Sequence, residues 1–260
     1  ARTGDGLMTL SLAAPPAPKS ATGPLRRTTG LFGTGGAEPY ESALGRGSGL
    51  LTLRPAGAEH GAAGAEHGAD PQRRPADIGF QVGAWCLPAT TLERSLLQSL
   101  SGPLLDVGCG PGRILSAAAG LGIRCAGVDT SPAAVELARK RGAAVLQQSV
   151  FDPLPYEGHW ASALLLDGNI GIGGNPRRLL ARMGMLLSPG GVLLVEVDPD
   201  PERELSYPAI IADPAGRRSE PFPWSVVGAA ALARAAGPEW KPAVGISREG
   251  RVFSKLVRRG

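Results

Sequence analysis

The sequence predicts an α/β protein whose mostly parallel sheet is covered by helices on both faces. From residue 103 onward, short apolar runs alternate with amphipathic stretches, which is typical of repeated strand–helix units. The apolar runs are nearly continuous, as in strands buried on both faces. The chain has 260 residues, of which 43% are hydrophobic, enough for one α/β domain with an appendage.

The elements of this unit follow from apolar runs and capping residues. Helices are predicted where N-cap residues or Pro precede an amphipathic stretch. After the fifth strand we expect a helix and then two strands that form a terminal antiparallel hairpin, which gives a sheet of seven strands. The predicted strands are 104–107, 123–128, 144–147, 160–166, 192–197, 242–247 and 252–257, and the helices 113–121, 132–142, 176–187 and 224–236.

The chain divides into three parts. Residues 1–77 are expected to be a largely flexible N-terminal extension, with a short helix at 39–44 and a strand at 50–54. Within it, the repetitive segment 57–70 contains His60 and His67, but its glycines favour a linker over a metal site. Residues 78–102 are predicted to be a helical lead-in or cap, with a capping box at Thr90 and Glu93. Residues 103–260 form the main domain.

Charge and composition exclude some classes of partner. The net charge is +4 and no run of like charges forms a basic patch, so we expect no nucleic-acid partner. No apolar run is long enough to span a membrane, and we expect the protein to bind no membrane. The three cysteines lack metal-ligand spacing, which favours reduced thiols and a cytoplasmic location. The sequence leaves the oligomeric state open.

A glycine-rich turn after the first predicted strand is the strongest functional signal. Residues 104–112 end in Gly-Cys-Gly-Pro-Gly, between a strand and a helix, where open α/β sheets bind ligands. Asp129 ends the next strand, where a carboxylate can accept hydrogen bonds from ribose hydroxyls.

The spacing in this turn favours S-adenosylmethionine (SAM) over a dinucleotide. Counted from Gly108, the third glycine of a dinucleotide fingerprint falls on Arg113. Asp106 stands two residues before Gly108, where a carboxylate suits the cationic SAM and repels a pyrophosphate.

These segments, with 127–132 and 187–191, resemble the successive motifs of class I SAM-dependent methyltransferases. The resemblance implies a Rossmann-like fold, SAM as cofactor and S-adenosyl-L-homocysteine (SAH) as product. It also implies that the turn cradles methionine and ribose, that Asp129 holds the ribose, and that Ser149 and Val150 flank the adenine. Residues after the fourth strand should lie where SAM meets the acceptor. The implied cofactor-binding residues are Asp106, Gly108, Cys109, Gly110, Gly112, Asp129, Thr130, Ser149, Val150, Asp167, Gly168 and Asn169.

The segment 167–174 has the sequence Asp-Gly-Asn-Ile-Gly-Ile-Gly-Gly and resembles a group of bacterial methyltransferases. Asp167 is the first catalytic candidate, with a merely structural cap of the glycine-rich loop as the alternative. His159 is a weaker candidate general base, since a surface histidine is favoured there. Asp198 and Asp200 could join Asp167 in a metal site, but a solvated loop is favoured and no metal is predicted.

The acceptor is expected to be a small molecule, such as a secondary metabolite, methylated on O or N. The alternatives are a protein or RNA methyltransferase, or a SAM-binding module without transferase activity. Residues 80–100 and 202–224 should cap the site, and Tyr207, Phe222 and Trp224 either stack a planar substrate or simply pack. Because Asp129 has no evident structural partner in the sequence, its removal should weaken SAM binding far more than folding.

Overall fold

The computed structural model describes residues 39–57, 75–241 and 244–260. Its helices are α1 Pro39–Arg46, α2 Val82–Cys86, α3 Thr91–Gln98, α4 Arg113–Gly120, α5 Pro132–Lys140, α6 Pro176–Leu186 and α7 Ala229–Ala235. Its strands are β1 Leu50–Pro55, β2 Ile78–Gln81, β3 Leu104–Val107, β4 Cys125–Asp129, β5 Val145–Gln147, β6 Trp160–Leu165, β7 Leu187–Val197, β8 Glu204–Ala212, β9 Phe222–Val227, β10 Val244–Arg248 and β11 Arg251–Val257.

The larger sheet has seven strands in the order β10-β11-β7-β6-β3-β4-β5. The strands β7, β6, β3, β4 and β5 are parallel to one another, whereas β11 is antiparallel to both β7 and β10. All four residues of β3 are buried, as expected for a central strand covered on both faces. The predicted fold class, with its C-terminal antiparallel hairpin, is confirmed.

Local capping signals determine where several helices begin. Thr90 and Glu93 form the predicted capping box at α3, with each side chain bonded to the other residue's backbone N–H. The Ser131 hydroxyl accepts the N–H of Ala134 at the start of α5, and Asn175 caps α6 in the same way. Each cap pairs a backbone donor that the helix itself leaves free.

A second, four-stranded sheet has the order β2-β1-β8-β9 and is antiparallel throughout. The predicted helix over 224–236 is therefore wrong in its first half, because residues 222–227 form β9. Four of its six residues, Phe222, Trp224, Val226 and Val227, are aromatic or β-branched, which favours a strand. Gly228 separates β9 from α7, and a Cβ there would lie 2.6 Å from the Pro201 carbonyl carbon.

Part of the expected N-terminal extension belongs to this second sheet. The predicted short helix and strand appear as α1 and β1, so the described residues 39–57 of this segment are folded. Tyr40, Ala43 and Leu44 of α1 are buried in a cluster with residues of β1, β8, β9 and Ala134 of α5. Burial of apolar surface at about 25 cal/mol per Å² holds the segment on the domain.

The repetitive segment that contains His60 and His67 lies outside the described residues, apart from Gly57. The prediction that it binds no metal stays a prediction. Within the described part of the chain, no helix is long and apolar enough to cross a membrane.

Candidate active site

A cavity lies at the carboxyl ends of β3, β4 and β6, where the second sheet covers the first. Carboxyl ends of parallel strands are the usual ligand-binding edge of an open α/β sheet. Both sheets contribute to its walls. The lining residues include Asp106–Pro111, Arg113, Val128–Thr130, Gln148–Val150, Asp167, Asn169, Ile172 and, from the covering elements, Tyr40, Leu53, Phe80, Trp85 and Phe222–Trp224.

The glycine-rich turn has a backbone that side chains rarely allow. Gly108, Gly110 and Gly112 have φ values of +69°, +51° and +82°, in the left-handed region that favours glycine. A Cβ on Gly108 would lie 2.5 Å from Nδ2 of Asn169, whereas one on Gly112 would lie 2.9 Å from Cβ of Ala138. The first glycine thus keeps the turn open at the cavity, and the third allows α4 to approach α5.

Asp129 closes the turn from the neighbouring strand. Its two carboxylate oxygens accept the N–H of Gly110 at 2.8 Å and that of Ser131 at 2.9 Å. Burial raises the pKa of Asp129, and the backbone N–H groups of Ser131, Gly110 and Thr130 oppose that rise. Asp129 therefore has structural partners in the backbone, and the expectation that it has none is wrong. A carboxylate offers about four lone-pair sites, so Asp129 can still accept a ribose hydroxyl.

Asp106 is a buried carboxyl with an unsatisfied oxygen. Its side chain is 3% exposed, and Oδ2 has no hydrogen-bond partner. Burial, followed by the negative charge of Asp167, raises the pKa of Asp106 to about 7. A cationic ligand beside Asp106 would offset both effects, because a nearby positive charge favours the ionised carboxylate. The site therefore fits a cofactor that carries positive charge.

An ionic network surrounds Asp167 at the end of β6. Arg113 pairs with Glu93 and, at 2.7 Å, with Asp167. Arg251 contacts Glu93 at 2.9 Å, Asp167 at 3.3 Å and Glu196 at 2.6 Å. Although burial alone would raise it, hydrogen bonds from Arg113 and Arg251 lower the pKa of Glu93 to about 2. Two guanidinium groups thus fix the orientation of the Asp167 carboxylate.

The Asp167 backbone is held in a strained conformation by the same network. Its φ of +52° lies in the left-handed region, which costs a residue other than glycine of order 1 kcal/mol. The backbone N–H of Asp167 donates to Oε2 of Glu196 at 2.7 Å. Burial raises the pKa of Asp167, and the charge of Arg113 opposes that rise.

The glycines that follow Asp167 allow the second sheet to lie directly on this turn. A Cβ on Gly171 would lie 2.5 Å from the Trp224 ring and would also meet the Ser225 carbonyl oxygen. One on Gly174 would lie 2.8 Å from Cβ of Pro223. Asn169 ties the same segment to the glycine-rich turn, since its Nδ2 donates to the carbonyl oxygens of Val107 and Gly108.

Most of the predicted cofactor residues line the cavity. Only Gly112 and Gly168 among them do not, and Gly112 has the packing role given above. The Cys109 thiol faces Gly127, where an added Cβ would lie 2.6 Å from Sγ. Asp152, three positions after Ser149, accepts the Ser149 N–H at 3.2 Å. The contacts of these residues with the cofactor stay predictions.

The structure places His159, the weaker candidate base, away from the cavity. It is exposed and precedes β6, at the opposite end of that strand from Asp167, and its Nδ1 contacts the Glu157 carbonyl oxygen. His159 does not line the cavity. A base must lie within hydrogen-bond reach of the proton that it removes, so the structure speaks against His159.

The alternative metal cluster does not assemble. Asp198 accepts the N–H of Asp200, and Asp200 that of Glu202, so both carboxylates stabilise a loop. Neither lines the cavity with Asp167. Within the described residues, no group of three or more His, Cys, Asp or Glu side chains could hold a metal ion.

Sequence reasoning missed Tyr40 and the ionic network, whereas the expected cap over residues 80–100 includes Phe80 and Trp85. Tyr40, Phe80 and Trp85 line the cavity from α1, β2 and α2. Arg251 approaches from the last strand, 84 positions after Asp167. The only available signal for Tyr40 was its place as an aromatic residue within the predicted short helix 39–44. No local pattern could pair Arg251 with Asp167, because the contact depends on sheet topology.

The comparisons with known proteins agree with this geometry. Residues 105–195 match a family described as "Methyltransferase domain". A SAM-dependent methyltransferase from Bacteroides fragilis, solved with SAH, has 20% identity and a TM-score of 0.65, covering 86% of this chain and 95% of its own. The CcbJ methyltransferase from Streptomyces caelestis has 15% identity and a TM-score of 0.51, covering 68% of this chain and 92% of its own. No curated protein matches the sequence.

Fold, site geometry and family match agree over this segment. The chain has a Rossmann-like class I fold, and residues 105–195 match a methyltransferase domain, a kind of domain that uses SAM as its cofactor. The sequence-based predictions of fold class and cofactor are thereby confirmed.

Proposed function

We propose that the protein transfers the methyl group of SAM to an oxygen or nitrogen atom of a small molecule. One observation supports this most: the glycine-rich turn and the aromatic residues of the second sheet line the same cavity. An acceptor must therefore enter a pocket beneath a covering sheet. Such a pocket suits a small molecule better than a protein or RNA segment.

On this proposal, the turn and two carboxylates hold the cofactor. Asp129 would accept the ribose hydroxyls while it keeps the Gly110 and Ser131 N–H groups. Asp106, with its unpaired Oδ2, would face positive charge on the cofactor. SAM supplies a methyl group already activated by its sulfonium charge, so alignment can provide much of the catalysis.

Asp167 would orient the acceptor and accept its proton. Arg113 and Arg251 fix the carboxylate, and the side chain is 32% exposed, so a proton can pass on to solvent. A hydroxyl or ammonium acceptor must lose a proton before or as it is methylated. The segment 167–174 then has two functions. It positions the Asp167 side chain, and its glycines allow β9 to pack directly against it.

The test is a SAH-release assay on the full chain with SAM and a mixed panel of small acceptors, proteins and RNA. We expect SAH to form only with small acceptors, and calorimetry to show SAM binding with no measurable binding of NAD. Turnover of a protein or RNA alone contradicts the small-molecule proposal. SAM binding without SAH from any acceptor identifies a binding module instead, and tighter binding of NAD overturns the cofactor assignment.

A further inference from the structure

The part of the cavity that faces the second sheet has an unusual composition. Three rings come from the N-terminal elements, those of Tyr40, Phe80 and Trp85, and two from β9, those of Phe222 and Trp224. Leu53, Ile172 and Pro223 complete this wall. We call these eight residues the aromatic wall; none of them carries a charge.

The rings are arranged in two tilted groups. Trp85 lies 5.3 Å from Phe80 with an interplanar angle of 40°, and 6.0 Å from Tyr40 at 70°. Phe222 and Trp224 are 6.0 Å apart at 89°. Aromatic molecules prefer offset-stacked or edge-to-face neighbours at such separations. Tilted groups present both faces and edges to a planar ligand.

The wall adjoins the end of the site where Asp167 lies. The Trp224 ring lies 4.0 Å from the position of a Cβ on Gly168, the residue after Asp167. Phe80 and Trp85 are only half-buried, so they retain surface for a ligand, whereas Phe222 and Trp224 are buried. A ligand that contacts Trp224 on this wall therefore lies near Asp167.

The charges of the cavity select against an anionic acceptor. Among the described residues that line it, Arg113 is the only Lys or Arg, beside Asp106, Asp129 and Asp167. Arg113 is 8% exposed and already paired with Glu93 and Asp167. A phosphate or carboxylate would enter a negatively charged site without a partner, which is costly at low dielectric.

The wall also offers few hydrogen-bonding groups to a polyol. Its side chains supply only the Tyr40 hydroxyl and the indole N–H groups of Trp85 and Trp224. Each sugar hydroxyl buried without a partner would cost about 1–3 kcal/mol. A flat apolar ring loses nothing there and gains contact with the wall.

From the wall, the charges and the position of Asp167, we infer that the acceptor is a planar aromatic molecule without negative charge, such as a phenol or an arylamine. The inference rests on the proposed function and specifies its substrate class. A lone pair of the acceptor's O or N forms the new bond to the methyl carbon as the carbon–sulfur bond breaks. The sulfur keeps the electron pair of the broken carbon–sulfur bond. The acceptor's proton passes to Asp167 and then to solvent.

The experiment compares matched acceptors on the full chain with SAM. The panel pairs a phenol and an arylamine with their cyclohexyl counterparts, with carboxylated derivatives and with an aminosugar, and SAH release gives kcat/KM. We expect the uncharged aromatic members to exceed each counterpart by at least tenfold. Saturation-transfer NMR of the same panel on the SAH complex reports binding independently of chemistry.

Two variants locate the acceptor on the wall. Phe80→Ala should raise the KM of the aromatic acceptor at least fivefold and leave SAM affinity within twofold, and Phe80→Leu should fall between. Tyr156→Ala is the matched control, since Tyr156 is 41% exposed, contacts Trp160 edge-on and does not line the cavity. It should change neither value.

The outcomes separate this inference from the proposed function. Turnover of the aminosugar or of the carboxylated members in preference to the aromatic ones overturns the aromatic class but retains a small-molecule methyltransferase. An unchanged aromatic KM in Phe80→Ala also overturns the inference. SAM binding with neither turnover nor NMR contact for any panel member overturns both.

Discussion

The two sheets differ in what they contribute and in how visible they are from the sequence. The parallel edge of the larger sheet presents backbone turns and carboxylates, namely the glycine-rich turn, Asp106, Asp129 and Asp167. The second sheet presents rings and aliphatic side chains. The polar edge of the larger sheet suits one cofactor, whereas the apolar side chains of the second sheet can vary with the acceptor. The difference suggests that cofactor chemistry and acceptor choice reside on separate elements.

The junction between the sheets provides the variant with the largest expected effect. Gly171→Ala would place a methyl group 2.5 Å from the Trp224 ring, so β9 must move. We expect a loss of about 1–3 kcal/mol in the free energy of unfolding, with loss of methyl transfer, measured by denaturant titration and SAH release. Gly120→Ala, where a Cβ meets nothing within 4 Å, is the control. Wild-type stability in Gly171→Ala would show that β9 does not lie on this turn.

Asp129→Asn tests the cofactor side. The variant puts an amide N–H against either the Gly110 or the Ser131 N–H, and it removes the charge from the ribose site. We expect SAM affinity to fall at least about tenfold and apo stability to fall by about 1–3 kcal/mol, by calorimetry and thermal melts.

Asp213→Asn is the matched control for Asp129→Asn. Asp213 also accepts backbone N–H groups in a loop, those of Ala215 and Arg217, but it does not line the cavity. It should lower stability without changing SAM affinity. If both variants lose stability and neither loses affinity, Asp129 is purely structural.

The raised pKa of Asp106 leads us to expect that the stability of the apo protein depends on pH. Its pKa of about 7 in the folded state exceeds its unfolded value. The stability that its proton contributes is therefore fully present below about pH 4 and lost as pH rises through about 7. The neighbouring Asp129 and Asp167 shift in the same direction. The melting temperature of the apo protein should fall as pH rises from 5 to 8. Asp106→Asn should reduce the slope of melting temperature against pH. An unaltered slope would contradict the assignment.

Arg251→Met tests the smallest expected effect, the positioning of Asp167. Arg251 does not line the cavity but contacts Asp167 and Glu196. We expect kcat to fall several-fold with little change in SAM affinity or acceptor KM, and Arg251→Lys to restore part of it. The pH profile of kcat should also move, because the Asp167 carboxylate loses a cation.

Arg234→Met is the control for Arg251→Met. Arg234 forms exposed pairs with Glu202 and Glu204, and solvent-exposed pairs contribute little to stability. Equal effects on kcat from both variants would mean that Arg251 does not act through Asp167.

The sequence predicted the larger sheet because each element there has a local signal. Apolar runs identify β3 and β6, glycines identify the turn, and Ser131 with Pro132 identifies α5. In the second sheet only β1 had such a signal, the predicted strand over residues 50–54. The strands of this sheet pair across long separations, as Leu53 of β1 does with Ile211 of β8, and a helix was therefore predicted over part of β9.

The same distinction between local and long-range signals applies to the site. Asp106, Asp129 and Asn169 could be located from spacing and resemblance. The hydrogen bonds from Gly110 and Ser131 to Asp129 could not, because they depend on how the turn folds back on β4. Arg251 reaches the site through sheet order alone.

Calorimetric titration of SAH into Asp129→Asn and Phe80→Ala tests the division between the sheets most directly. Each variant alters one wall of the same cavity. The account predicts at least about tenfold weaker SAH binding in Asp129→Asn and wild-type affinity in Phe80→Ala. Equal losses in both variants, or a loss confined to Phe80→Ala, would contradict it.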